Sequence, residues 1–527
     1  MKKREVLFLA LLASSAALSC TEDPAEQGAE DQGDEPSQEQ DDDDDVIATG
    51  PNLLYIFPDQ YRQMALSLWS NPKYAEILAT APDPVLTPNI DRIFEEGLIF
   101  TQACSTHPVS SPHRAMLMSG MYPASNGVDG NCYLGRDYGL YEDIECFTDV
   151  LSASGYSTAY VGKTHWHKTE ALFDIDGVYV GSTEWPGGYT INLYDTYIPP
   201  GDSRHGNDYW YQHVKDSHFD PIAYSNQSLL VNGYADGTPY MPGAFSATTE
   251  ANVIIDYLEN KSGQRDKSKP FSIFWAINPP HSPYSAVSHC DEAIYNEFFK
   301  DIPYDELVVR ENVTTTEYEL TTRVYFSLIK GIDDEIGRVL DLLDQMGVTS
   351  NTMIVFTSDH GEMMGSQGLI GKDVIYDESF LVPFAIKYPG VLQNRTEDLL
   401  FGSVDIMPTV LGLLGLKTNI PSAVQGVDYS DALVSGTFAD GQKPTTAVYI
   451  NTNNKGVRSD KYTYHVVNDG SYKIFNNIDD PYQMNCLTLD EIPAEDLKML
   501  QEELGEWLTI ANDPWVASNK RADLIIY

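Results

Sequence analysis

The chain has 527 residues, 42% of them hydrophobic and 33 of them tyrosine, with a formal charge of −45 at pH 7. That length and apolar content suffice for a large buried core, one big domain plus a smaller one, and exclude a disordered chain. The acidity excludes nucleic acid as a partner and admits an anionic substrate only where the site is locally positive.

The charge is uneven: residues 1–20 carry +2, residues 21–45 carry −13 and the remainder −34. Salt would screen that repulsion, which is consistent with a marine source. Lys2, Lys3 and Arg4 precede an apolar run from Val6 to Leu18. The run is too short for a membrane span and suits a signal peptide over residues 1–20. Its end, Ala17-Leu18-Ser19-Cys20, resembles a bacterial lipobox with Leu one place later than usual. Cys20 would then be the lipidated N-terminus and the only membrane attachment of an exported lipoprotein, periplasmic or at the outer membrane and cell surface. Residues 21–46 are low in complexity and end on five consecutive aspartates before Val46. Such a segment repels itself and is expected to be an extended, disordered tether.

The expected catalytic region covers residues 47–445. Asn52 to Phe57 is an unbroken apolar run followed at once by Pro58, Asp59 and Gln60. Further on, Ser110 and Arg114 stand four apart around Pro112, with Ala115, Met116, Leu117 and Met118 behind them. Proline at a first helical position favours helix entry, so the spacing predicts Ser110 at a helix N-terminus. There the free amides favour an anion, and Arg114, one turn in, adds a planar fork suited to tetrahedral oxyanions. Ser110 is a candidate nucleophile toward a sulfate or phosphate ester; it also has the chemistry of a plain N-cap.

The run-and-polar pattern recurs three times. Ser157 to Val161 ends in Gly162-Lys163-Thr164-His165, Phe271 to Ile277 in Asn278-Pro279-Pro280-His281, and Met353 to Phe356 in Thr357-Ser358-Asp359-His360-Gly361. Runs without alternation suit strands buried on both faces of a parallel sheet. Helices are expected over Thr148 to Ser154, Ala247 to Asn260 and Thr321 to Met346. The fold class is therefore α/β, with a large, mostly parallel central sheet flanked by helices. Ligands of such sheets bind outside the carboxyl ends of the strands, where every one of these runs delivers an Asp, Lys or His. Asp59, Gln60, Asp359 and His360 are positioned to meet around one divalent cation, mostly through oxygens as calcium prefers. Lys163, His165 and His281 are positioned to gather round the anion.

Between His167 and Lys269 the chain is rich in Tyr, Trp, Gly, Pro and Asn, as in Tyr209-Trp210-Tyr211-Gln212-His213. This composition suits packed surface loops or flat aromatic faces for sugar rings, with Trp210 and Tyr211 as candidate contacts. Residues 446–527 are expected to form a small α+β domain. Its strands are Val448 to Asn451, Val457 to Val467 with a turn at Asp460-Lys461, and Ser471 to Phe475, and a helix from Ala494 to Ile510 closes it. The cysteine spacings match no zinc motif; Cys132 and Cys146, flanking an aromatic loop, are the expected disulfide of an oxidising compartment.

Together these segments resemble the type-I sulfatases of the alkaline phosphatase superfamily over about residues 50 to 490. Ser110-Ser111-Pro112-His113-Arg114 through Ser119-Gly120 is similar to their signature, in which Cys or Ser precedes a Pro and an Arg. Asn52 to Gln60, Gly162 to His165, and Thr357 to Glu362 with the trailing Gly371-Lys372 are similar to their remaining motifs. The resemblance implies an alkaline-phosphatase-like fold and formylglycine made from Ser110, whose hydrate is the nucleophile. It implies one Ca2+, or Mg2+, on Asp59, Gln60, Asp359 and His360. Arg114, Lys163, His165, His281 and Lys372 would bind sulfate and move protons. The implied partners are a sulfated oligo- or polysaccharide and a serine-type, oxygen-independent formylglycine-generating enzyme.

Ser110 replaces the family's commoner Cys, and Gln367 stands where relatives often have His. Two other readings stay open on sequence: a phosphatase or phosphonate monoester hydrolase using Ser110 directly, and a non-catalytic surface sugar-binding lipoprotein.

Overall fold

The computed structural model describes residues 50–133, 135–169, 195–214, 217–227, 235–261 and 263–527. The expected signal peptide, Cys20 and the expected acidic tether lie outside them. Among the described residues fifteen strands occur in chain order. They are β1 (Asn52–Ile56), β2 (Leu98–Phe100), β3 (Ala103–Cys104), β4 (Ser157–Lys163), β5 (Tyr209–His213), β6 (Ala223–Ser225), β7 (Phe271–Ala276) and β8 (Thr352–Phe356). Then come β9 (Phe384–Lys387), β10 (Arg395–Glu397), β11 (Phe401–Gly402), β12 (Ala447–Ile450), β13 (Asn454–Arg458), β14 (Tyr462–Val467) and β15 (Tyr472–Asn476).

Nine of them form one sheet in the order β10-β2-β9-β8-β1-β7-β4-β5-β6. The central run β8-β1-β7-β4-β5 is parallel throughout, while β9 and β6 join it antiparallel. The four apolar runs fall on β1, β4, β7 and β8, whose residues are all buried. Alternate side chains go to opposite faces. Leu54, Ile56, Ile273 and Ile354 pack with the helices Ser246–Glu259 and Glu319–Gln345. Leu53, Tyr55, Phe274 and Met353 pack with Phe147–Ala153 and Ile406–Leu413. Covered on both sides, these strands have no use for the polar alternation of a half-exposed sheet.

β5 corrects the sequence expectation for Trp210 and Tyr211. Both are fully buried, Trp210 in the second of these cores and Tyr211 in the first. Trp210 stacks on Tyr160, with ring centroids 5.4 Å apart. They are core residues of a sheet strand, so neither is presented to a sugar.

Strands β12 to β15 form a separate antiparallel sheet, and the helix Ala494–Ile510 packs Leu500, Leu504 and Leu508 onto it. The same cluster takes in Met116 and Tyr122, so the small sheet's core reaches the helix that carries Ser110.

The expected disulfide is absent. Cys132 and Cys146 are both free and buried. Cys146 sits at the N-cap of Phe147–Ala153, where its backbone amide donates to Asp149 Oδ2 at 2.9 Å, and Cys132 packs with Ala115 and Val128 in another cluster.

Candidate active site

The helix Ser110–Ser119 starts at Ser110 itself, with Val109 extended before it and Pro112 in the third position rather than the first. It stops at Gly120, whose φ of 63° is left-handed. The whole helix is buried, which fits its apolar run.

Its first residue meets the ends of the parallel strands. Ser110 Oγ lies 3.1 Å from His360 Nε2 and 3.2 and 3.4 Å from the two carboxylate oxygens of Asp59. Asp59, Asp359 and His360 each offer a ligand atom, and these atoms lie within 4.8 Å of one another. All three residues are fully buried. His360 Nδ1–H donates to the Gly361 carbonyl at 3.0 Å, which leaves Nε2 as the lone-pair nitrogen facing the carboxylates. Burial, with Lys372 nearby, outweighs the pull of Asp359 and Asp59 and pushes His360 down to about 3, so the imidazole is neutral. Two carboxylates and one neutral imidazole nitrogen, buried and convergent, fit a hard divalent cation.

Arg114 lies against the aspartates at the strand ends. Its Nε and Nη2 donate to Asp359 Oδ2 at 3.2 and 3.1 Å, its Nη2 also to Asp59 Oδ2 at 3.1 Å, and its Nη1 to the Lys163 carbonyl at 2.8 Å. Fully buried, the guanidinium clamps the Asp59 and Asp359 carboxylates. Lys163 Nζ completes the clamp, 2.8 Å from Asp59 Oδ2. Burial alone would raise the Asp59 carboxyl; Lys163, His281, Lys372 and Arg114 together hold it well below the usual carboxylate range.

Gly162, ahead of Lys163, is required by contact. Its φ is +113°, and an added Cβ would stand 2.2 Å from the Ala276 carbonyl oxygen on β7.

Gln60 is placed beside the carboxylates, with one of the two lone pairs of its amide oxygen taken by Lys372. Its Oε1 accepts from Lys372 Nζ at 2.8 Å, and its Nε2 donates to Tyr284 Oη at 3.3 Å and to Glu362 Oε2. Sequence reasoning gave Glu362 no role, although it ends the Asp-His-Gly-Glu motif. It is fully buried and also accepts from Tyr284 Oη at 3.1 Å and from the amides of Met364 and Gly371 at 2.9 and 2.6 Å. It therefore ties Gln60 to the turn that delivers Lys372.

His281 follows the bridge between Asp59 and Pro280, which carries the β1 and β7 pairing past the strand ends. Its Nδ1 lies 2.9 Å from the Ser282 carbonyl. His165 is buried with φ at 58°, its ring centroid 6.3 Å from that of Tyr133. Gln367 donates to the carbonyls of Tyr482 and Gln483 at 2.8 and 3.0 Å, a structural tie to the loop after the small sheet.

A family profile described as Sulfatase matches residues 51–416, and one described as N-sulphoglucosamine sulphohydrolase, C-terminal, matches residues 365–509. The chain is 37% identical to an endo-4-O-sulfatase of Bacteroides thetaiotaomicron, over 91% of this chain and 96% of that one. It is 30% identical to an ulvan-active sulfatase of Formosa agariphila, over 96% and 86%. A solved Bacteroides thetaiotaomicron structure, from work on the metabolism of multiple glycosaminoglycans, superposes with a TM-score of 0.84 at 36% identity, covering 91% of this chain and all of that one. The chain belongs to the sulfatase family and is a sulfuric ester hydrolase with the alkaline-phosphatase-like fold.

Proposed function

We propose that the protein removes a 4-O-sulfate from a sulfated carbohydrate of glycosaminoglycan type, using formylglycine formed from Ser110 and one divalent ion. Ser110 Oγ, 3.1 Å from His360 Nε2 at a helix N-terminus, is the observation that carries this reading. The 37% identity to an endo-4-O-sulfatase supports the ester position. The ion would rest on Asp59, Asp359 and His360, with the amide oxygen of Gln60 as a further donor; the all-oxygen remainder of that set favours calcium, with magnesium second. When bound, it supplies charge stabilisation to oxygens at sulfur. Formylglycine, once formed and hydrated by one water, would supply two hydroxyls on one carbon, one to attack sulfur as the alcohol leaves and one whose deprotonation releases the sulfate and restores the aldehyde.

The protein's own groups do the remaining work. Arg114 and Lys163 hold the carboxylates in place, and the N-terminal amides of the helix face the anion. Lys372 and Lys163 draw the sulfate oxygens in and stabilise them as charge builds. His281 delivers a proton to the leaving alcohol, and His165 takes one from the second hydroxyl.

We further propose export under a signal peptide over residues 1–20, a lipid anchor at Cys20, a tether over 21–46, a catalytic domain over 47–445, a small domain over 446–527, and maturation by a serine-type formylglycine-generating enzyme. Mass spectrometry of the Ser110 peptide from active native enzyme tests the chemistry. Loss of two hydrogens, about 2 Da, is expected; full activity with unmodified serine would sink the mechanism.

A further inference from the structure

Beside the candidate site lies a cavity of about 290 Å3 lined by His107, Asp129, Asn131, Tyr133, Arg136 and Asp373. The small sheet closes its other side with Asn451, Thr452 and Asn453. It adjoins the reacting groups through the chain itself: Asp373 follows Lys372 and its amide donates to the Pro108 carbonyl at 3.2 Å. Asn131 Oδ1 accepts from the amide of Ser111 at 3.3 Å.

Two carboxylates face this space. Asp373 is 42% exposed, with Oδ1 accepting from Asn451 Nδ2 at 2.5 Å. Asp129 accepts from Thr452 Oγ1 at 3.1 Å. Asp373 Oδ1 also has His107 Nε2 at 3.8 Å, but each carboxylate keeps lone pairs beyond these contacts and can take hydroxyl donors. Arg136, exposed at the edge, is the one cationic side chain of the lining. His107 adds no charge near neutrality, since burial, with Lys455 and His360, pushes it down to about 3. Burial pushes Asp373 up to about 6 and raises Asp129 as well, so it is at pH 7 and above that the lining sets carboxylate charge against the single guanidinium of Arg136. Tyr133 and Tyr138 supply aromatic surface. Carboxylates, amides and tyrosines around a space of this size suit a hydroxyl-rich ring. They do not suit a second anion, which would meet like charge at close range.

We propose that this cavity takes the sugar ring bearing the scissile sulfate, and that Asp129 and Asp373 select a ring whose other substituents are uncharged. A ring with a second sulfate is turned away. The inference rests on the carbohydrate reading above and adds the residues that set its selectivity. Discrimination then comes from repulsion of the wrong substrate as much as from attraction of the right one.

The test uses matured enzyme and the variants Asp129→Asn and Asp373→Asn, which keep side-chain shape and remove the charge. The probes are glycosaminoglycan oligosaccharides with one 4-O-sulfate per sulfated ring, the same chains with a second sulfate on that ring, and the fully desulfated chain. Wild-type kcat/KM should favour the singly sulfated probe, and each variant should narrow that preference by roughly tenfold, the size of one partly screened like-charge contact. Calorimetric titration with the desulfated chain needs no turnover, and the variants should bind it more weakly than wild type. A preference unchanged within twofold in both variants, or desulfated-chain binding unchanged in both, would overturn the selectivity role while leaving the sulfatase reading intact. A wild type that cleaves an aryl sulfate but none of the oligosaccharides would instead overturn the carbohydrate reading, and the cavity assignment with it.

Discussion

Arg114 donates to a single carboxylate oxygen of Asp359 from two of its nitrogens, Nε at 3.2 Å and Nη2 at 3.1 Å. The residue that the sequence motif sets one turn behind Ser110 thus reaches under the strand ends and holds Asp359 in place. Burial lowers the guanidinium's hold on its proton, but Asp359 and Asp59 more than restore it. The group is a permanent cation inside a buried cluster. Removing one member of such a cluster leaves its partners charged and unpaired. Arg114→Ala is expected to destabilise metal-free protein by about 3–5 kcal/mol, and chemical denaturation measures it directly. Arg114→Lys restores charge but not the fork and should recover part of that loss, with metal content still reduced.

Glu362 accepts from the Gln60 amide, the Tyr284 hydroxyl and the amides of Met364 and Gly371, and so acts beside the expected metal ligands. Glu362→Gln should lower kcat or metal affinity by about 10–100-fold, as partners of ligand residues commonly do, with little change in melting temperature. Metal titration beside steady-state rates separates the two effects; full activity with unaltered metal affinity would reduce Glu362 to a packing residue.

Trp210 distinguishes core from subsite. Trp210→Ala should cost about 3–5 kcal/mol of stability and depress aryl sulfate and oligosaccharide hydrolysis in the same proportion. A loss confined to the oligosaccharide would contradict its place in β5.

The pH dependence can be isolated at His465, away from the candidate site. Burial, reinforced by Lys473, pushes its imidazole down to about 4 from an ordinary 6.5. Between those values the unfolded chain binds a proton that the folded chain refuses, so stability is greatest above about 6.5 and falls as pH drops toward 4. On going from pH 7 to 4.5 the wild type should lose about 2 kcal/mol more than His465→Gln. Urea unfolding of both proteins at the two pH values checks the difference; equal losses would mean His465 titrates normally.

The free state of Cys132 and Cys146 predicts that a reductant leaves the melting temperature unchanged. Cys132→Ser should then behave as a small packing change. A reductant-induced fall in melting temperature would show a bridge after all.

The chain by itself determined the strands β1, β4, β7 and β8 and the helix Ala494–Ile510, because unbroken apolar runs and helical spacing are local properties of sequence. It also put Asp59, Lys163, Asp359 and His360 at strand ends, and these carry the Ser110 cluster. Tyr209 to His213 was illegible for the same reason: a Tyr-Trp-Tyr-Gln-His stretch looks like loop until neighbours on both faces bury it. Only the tertiary structure decided where side chains point across the sheet. β1 lies between β7 and β8, which follow it by more than two hundred residues. That pairing brings Arg114 onto the two aspartates, draws Glu362 against Gln60, and separates Cys132 from Cys146 into different clusters. Spacing along a chain specifies which residues share a turn or a face of one element. Which charges neutralise one another depends on contacts between elements distant in sequence, and those are settled by how the packed strands and helices exclude water together.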